Sequence, residues 1–90
     1  MKLSMFSVRD VVAGCYLAPF PARSEVDAKR QIAASFKDPQ FQQTPVFQNP
    51  QDFRLMHLAD FDDESGEITP CIPRLVAEMS EFASLGTVRS

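Results

Sequence analysis

Tryptophan is absent from these 90 residues, histidine and tyrosine occur once each, cysteine twice and glycine three times. With His57 as the lone imidazole and Cys15 and Cys71 far apart in no C-x-x-C spacing, there is little material for a nucleophile–base pair or a zinc site. No nucleophile, base and orienting group can be assembled from this inventory, so an enzyme is not expected, and neither a metal nor another cofactor is implied. The glycines are scattered and no G-x-x-x-x-G-K motif occurs, which excludes a phosphate-cradling loop of that kind. No apolar run approaches the roughly 20 residues that span a bilayer, so no membrane partner is expected. Met1–Phe6 holds one basic residue with no apolar stretch behind it, which is not the pattern of a secretory signal. The cysteines are therefore read as reduced thiols in a cytoplasm, behaving as small buried hydrophobes.

What is present suits a small folded domain. A hydrophobic content of 44% with eight Phe is enough to build a core, so the chain is not disordered by composition. Its length fits one domain, residues 1–90. A chain this short buries only about 60–65% of its unfolded surface, which implies modest stability.

The net charge of -3 conceals an asymmetry. Residues 1–37 carry six cations against three anions, a net of +3; residues 38–90 carry three cations against nine anions, a net of -6. Such a polarised molecule can present a basic face to phosphates despite its negative total, although the same charges also serve simply to solvate a surface.

Hydropathy patterning predicts an α+β domain in the order β-β-α-β-β with a helix after it. Lys2–Arg9 reads as a strand, with Phe6 and Val8 on one face and Leu3, Met5, Ser7 and Arg9 on the other. A turn ending at Gly14 leads to a second strand, Cys15–Phe20, and so to a hairpin. Ser24 is a good N-cap for a helix to Phe36 whose stripe is Val26, Ile32, Ala33 and Phe36, and Asp38-Pro39 ends it. Residues 38–52, rich in Pro and Gln, read as a long surface loop pinned by Phe41 and Phe47. Phe53–Phe61 is a third strand, with Phe53, Leu55, Ala59 and Phe61 on one face and Arg54, Met56, Leu58 and Asp60 on the other. A turn with Gly66 in the left-handed position leads to a fourth strand, Glu67–Ile72, which Pro70 assigns to an edge. Pro73 then suits the start of a C-terminal helix over 73–86. Exposed edges and that apolar helix suggest a homodimer.

Three constellations carry possible chemistry. Asp60, Asp62, Asp63, Glu64 and Glu67 suggest a hard-cation site, but the calcium-loop template fails because Ser65 and Cys71 occupy its Gly and Glu positions; ordinary turn chemistry accounts for the cluster. His57, between apolar neighbours in a strand, reads as a structural residue. Aromatic and basic residues interleave in the first half at Phe6, Arg9, Tyr16, Phe20, Arg23, Lys29 and Arg30. Rings at strand spacing belong to cores, yet rings beside cations also hold single-stranded nucleic acid, and Tyr16 is the best candidate for an exposed ring.

The order of these pieces adds a resemblance. Phe6-Ser7-Val8-Arg9-Asp10, then Tyr16 and Pro19-Phe20, an Ala- and Arg-containing helix after Arg23-Ser24, Pro50-Gln51-Asp52-Phe53-Arg54-Leu55 and Phe61-Asp62-Asp63-Glu64-Ser65-Gly66 together resemble the small nonstructural protein of gokushovirus-type microviruses, phages with single-stranded DNA genomes. The resemblance covers roughly residues 2–72. It implies a nonstructural role in the host bacterial cytoplasm, in DNA binding or genome replication, including a bias towards single-stranded genome synthesis. It supplies no catalytic residues. Arg9, Tyr16, Arg23 and Arg30 match its pattern, and with Lys29 they form the candidate nucleic-acid-binding set. The acidic second half leaves a second expectation open, a protein–protein adaptor that binds the phage replication initiator or a host replication protein.

Overall fold

The first strand, β1 (Lys2–Asp10), organises the fold of the computed structural model, which describes residues 1–87 and side chains as far as Ala83. Phe6 and Val8 alternate onto one face of β1 and are almost wholly buried. After a turn closed by Gly14 at φ 75°, the chain returns antiparallel as β2 (Cys15–Tyr16) and β3 (Phe20–Ala22). The single strand expected over Cys15–Phe20 is thus two short ones that share the same edge of β1. The break has a local cause: Ser7 Oγ donates to the Leu17 carbonyl at 2.5 Å, which takes that carbonyl out of the ladder, and Pro19 and Pro21 bring no N–H to the pairing.

The helix α1 (Glu25–Ser35) starts where the sequence places it. Ser24 Oγ accepts from the Asp27 N–H at 3.1 Å, and Asp27 Oδ2 accepts from the Arg23 N–H at 3.0 Å, so two otherwise unpaired donors at the helix start are satisfied reciprocally. Ala28 and Ile32 face the core, followed by Phe36 beyond the last turn. Val26, expected in the same stripe, is instead 59% exposed.

Residues 38–52 are not the long surface loop that their composition suggests. They form a 3-10 turn at Phe41–Gln43, the short helix α2 (Pro45–Gln48) and a second 3-10 turn at Pro50–Asp52. Pro45 and Pro50 each stand at the start of a turn, where a missing N–H costs nothing. Phe36 holds the segment down: its ring lies 5.2 Å from that of Phe41, 5.5 Å from Phe47 and 6.1 Å from Phe82, all tilted.

The chain then enters β4 (Phe53–Asp62) and β5 (Ile68–Glu78), joined by a turn with Gly66 at φ 78°. All pairings are antiparallel, in the order β2-β1-β4-β5, with β3 beside β2 on the outer edge of β1. The sheet is mixed with helix as an α+β domain, as the sequence predicts. The helix expected over 73–86 is corrected: residues up to Glu78 continue β5, and α3 runs only over Ser80–Thr87. Without residues 74–78, the first half of β4 would leave its outer edge unpaired, and that demand outweighs local helix preference. Glu81 caps the shorter helix by accepting from the Glu78 N–H at 3.0 Å.

One core lies between the sheet and the helices. Phe6, Val8, Phe53, Leu55, Ala77 and Met79 from the strands meet Ala28, Ile32, Phe36, Val46 and Phe82. The helices therefore cover one face of the sheet. Between Ala59 and His57 the β1–β4 register slips by one residue, a bulge at Leu58, and Ala59 lies outside this core although it is buried.

Candidate functional site

The face turned away from the helices carries the candidate site. Residues directly opposite in a ladder share a face. Tyr16 stands opposite Arg9, Arg9 opposite Arg54, and Arg54 opposite Glu78, so one row of an aromatic ring, two guanidiniums and a carboxylate crosses the whole sheet. The Arg9 guanidinium carbon lies 5.0 Å from the centre of the Tyr16 ring, a cation–π contact. Arg54 Nε lies 3.3 Å from Glu78 Oε2. The next row is Ser7, Met56 and Leu75, the last 47% exposed. The two rows together combine an accessible ring, cations beside it and the apolar side chains of Met56 and Leu75, while Ser7, beside Met56, is fully buried.

Charge is unevenly placed along the sheet. Arg9 and Arg54 stand at one end of the β1–β4 ladder, and Lys2 pairs with Asp62 at the other, about 24 Å away at strand rise. There the turn gathers Asp62, Asp63, Glu64 and Glu67. Asp62 Oδ1 accepts from the Glu64 N–H at 2.9 Å and the Ser65 N–H at 3.4 Å, which hold its carboxyl below the ordinary range. The Met1 ammonium lies 2.8 Å from Asp63 and 3.3 Å from Glu64, which raise its pKa. Asp62, Asp63 and Glu64 are spent on the turn and the chain start.

A family model described as Phage ORF5 protein matches residues 3–82. The chain belongs to the Phage ORF5 protein family. No curated protein and no solved structure matches it. The match runs from Leu3 in β1 to Phe82 in α3 and so spans the segments that carry Arg9, Tyr16 and Arg54.

The five residues singled out in the sequence do not form one surface in this family member. Arg9 and Tyr16 meet on the open sheet face. Arg23 precedes α1, with its backbone N–H in the cap of that helix. Lys29 and Arg30 lie on α1, where they edge an apolar groove of about 310 Å³ with Val26, Ala33, Glu81 and Phe82. Since α1 covers the opposite face of the sheet, this second basic group does not join the first on one face. Arg54 is the residue that sequence reasoning missed, although the alternation that buries Phe53 and Leu55 already turns Arg54 to the other face. Cys15 and Cys71 are both exposed, which corrects their reading as buried hydrophobes. Among the described residues, no helix is long and apolar enough to cross a membrane.

Proposed function

We propose that this protein is a non-enzymatic accessory protein of a gokushovirus-type microvirus, acting in the host bacterial cytoplasm and holding single-stranded DNA on its open sheet face during genome replication or the switch to single-stranded genome synthesis. The observation that carries this reading is the Arg9 guanidinium over the Tyr16 ring, on a face that no helix covers. A flat ring accepts a stacked base of any sequence, and the neighbouring cations reach the phosphates on either side. The arrangement favours single strands, because a duplex keeps its bases stacked on one another. The acidic turn at the far end repels phosphate and confines the strand to the Arg9–Arg54 end.

Fluorescence anisotropy of labelled single-stranded and duplex DNA, titrated at several salt concentrations, tests the proposal. Single-strand binding that weakens with salt is expected. Two phosphate contacts, from Arg9 and Arg54, give a log–log slope of about -1.4. Reversal of both charges abolishes binding on this reading, while reversal of Lys29 and Arg30 leaves most of it; the opposite result moves the site to the helix layer.

A second reading, a protein–protein adaptor for the phage replication initiator or a host replication protein, is favoured by one observation. The outer strand β5 exposes Ile68 at 60%, Ile72 at 89% and Leu75 at 47%. Apolar groups concentrated on one edge suit a protein partner. A homodimer through that edge is the weaker form of this idea, because Pro70 and Pro73 remove two N–H donors from it. Absence of DNA binding at low salt, with recovery of a replication protein on the wild type but not on Ile72→Asp, would favour the adaptor.

A further inference from the structure

The fold aligns three side chains that their sequence positions do not connect. Cys71 Sγ lies 3.9 Å from His57 Nδ1, and His57 Nε2 lies 3.2 Å from Asp60 Oδ1. Cys71 is exposed, Asp60 is about half exposed, and the imidazole between them is largely buried, with its ring 5.3 Å from that of Phe6. The bulge of β5 creates the alignment: Pro70 pairs with Ala59 and Arg74 with His57, so residues 71–73 together oppose Leu58 alone, and the extra length swings Cys71 back towards the histidine.

The chemistry follows from which nitrogen carries the proton. An ionised Asp60 only accepts hydrogen bonds, so it selects the tautomer with hydrogen on Nε2. Nδ1 then presents its lone pair to the Cys71 thiol. The two partners occupy opposite ring nitrogens, so the three groups do not converge on a point, and among the described residues no such trio is placed to hold a metal ion. The arrangement is instead that of a thiol with a base and an orienting carboxylate, which corrects the expectation that no such set can be assembled from this inventory.

We propose that Cys71 is a thiol–disulfide exchange site for low-molecular-weight disulfides of the glutathione class, with His57 as its proton acceptor and Asp60 as a positioning residue. His57 Nδ1 takes the thiol proton as the sulfur attacks one sulfur of the disulfide. The disulfide S–S bond breaks and a Cys71 mixed disulfide forms. The departing thiolate leaves with the electron pair and takes up the proton from His57. Each disulfide consumed yields one mixed disulfide and one free thiol, so this is a stoichiometric modification and is independent of the DNA-binding reading.

Cys15 is the internal control, since it is also exposed and no hydrogen bond joins it to a histidine. The Cys15→Ser chain reports Cys71 alone, and the Cys71→Ser chain reports Cys15 alone. Each is treated with oxidised glutathione near neutral pH, and the mixed disulfide is followed by intact mass. Cys71 is expected to react about a hundredfold faster than Cys15, the low end of general-base assistance. The difference should vanish in concentrated urea. In the Cys15→Ser chain, His57→Gln should bring the rate down to that of Cys15. Asp60→Asn, a surface change that keeps the fold, should lower it severalfold. Equal rates for the two native cysteines would overturn the proposal, as would a folded His57→Gln chain that reacts like the parent. If His57→Gln does not fold, the Asp60→Asn rate decides the role of the pair.

Discussion

Arg9 and Arg54 stand directly opposite each other in the β1–β4 ladder, two like charges on one face of a sheet. Such a pairing destabilises a sheet, and each cation has a compensating neighbour, the Tyr16 ring for Arg9 and the Glu78 carboxylate for Arg54. Relief of the repulsion should therefore leave the fold intact or firmer. For Arg54→Gln we expect an unfolding free energy unchanged or raised by up to about 0.5 kcal/mol, measured by urea denaturation. The same variant should bind single-stranded DNA more weakly, with the salt slope reduced by about 0.7. A variant that loses stability and keeps its DNA affinity would show that the pair serves the fold rather than a ligand.

Tyr16 separates stacking from hydrogen bonding. If bases stack on its ring, Tyr16→Phe should bind single-stranded DNA nearly as well as the wild type. Tyr16→Ala should lose about 1–3 kcal/mol of binding free energy. Anisotropy titrations of both variants at one salt concentration make the comparison. Equal losses in the two would assign the contribution to the hydroxyl and remove stacking from the account.

Much of this architecture is legible in the sequence where short-range rules decide. Ser24 and Asp27 mark the start of α1, Gly14 and Gly66 close their turns, and the alternation in β1 and β4 assigns the buried faces around Phe6, Val8, Phe53 and Leu55. Long-range demands decide the rest. Leu75, Val76, Met79 and Phe82 satisfy a helical period, but β4 needs a partner along its first half, and β5 takes the residues as far as Glu78. Residues 38–52 look like loop because Pro and Gln dominate them, whereas Phe36, a residue of the preceding segment, determines how they fold back. The site shows the same division. Arg9 and Tyr16 flank one turn, and their meeting follows from the hairpin. Arg54 and Cys71 acquire their neighbours through ladder register and a bulge, and neither can be read from spacing.

Phe36 should be a costly position to truncate. Its ring touches those of Phe41, Phe47 and Phe82, so it joins α1, the 41–48 segment and α3 at one point. Phe36→Ala leaves a cavity lined by three rings that belong to separate elements, and should cost about 3–5 kcal/mol. A small domain holds only about 5–15 kcal/mol in total, so this variant should lose a large share of its stability. Phe36→Leu should lose markedly less. Urea denaturation followed by far-UV circular dichroism measures both, and a Phe36→Ala chain as stable as the Leu variant would show that the 41–48 segment is held by other contacts.

The acidic turn gives opposite pH dependences at the two ends of the scale. The carboxyl of Asp62 is held below its ordinary 3.8 by the Glu64 and Ser65 N–H groups, so its contribution is complete above that value and is lost as pH falls through the lower folded one. The Met1 ammonium is raised above its ordinary 8.0 by Asp63 and Glu64, so its contribution is complete below that value and is lost as pH rises through the higher folded one. Both interactions are present together only between these limits. Urea midpoints measured across pH should fall on the acid side for the wild type and less steeply for Asp62→Ala. On the alkaline side the wild-type decline should flatten in the Asp63→Asn/Glu64→Gln double variant. Because all these groups are exposed, both effects are small and weaken with added salt. The two variants should alter separate limbs of the profile; one that altered both would mean that the turn and the chain start come apart together.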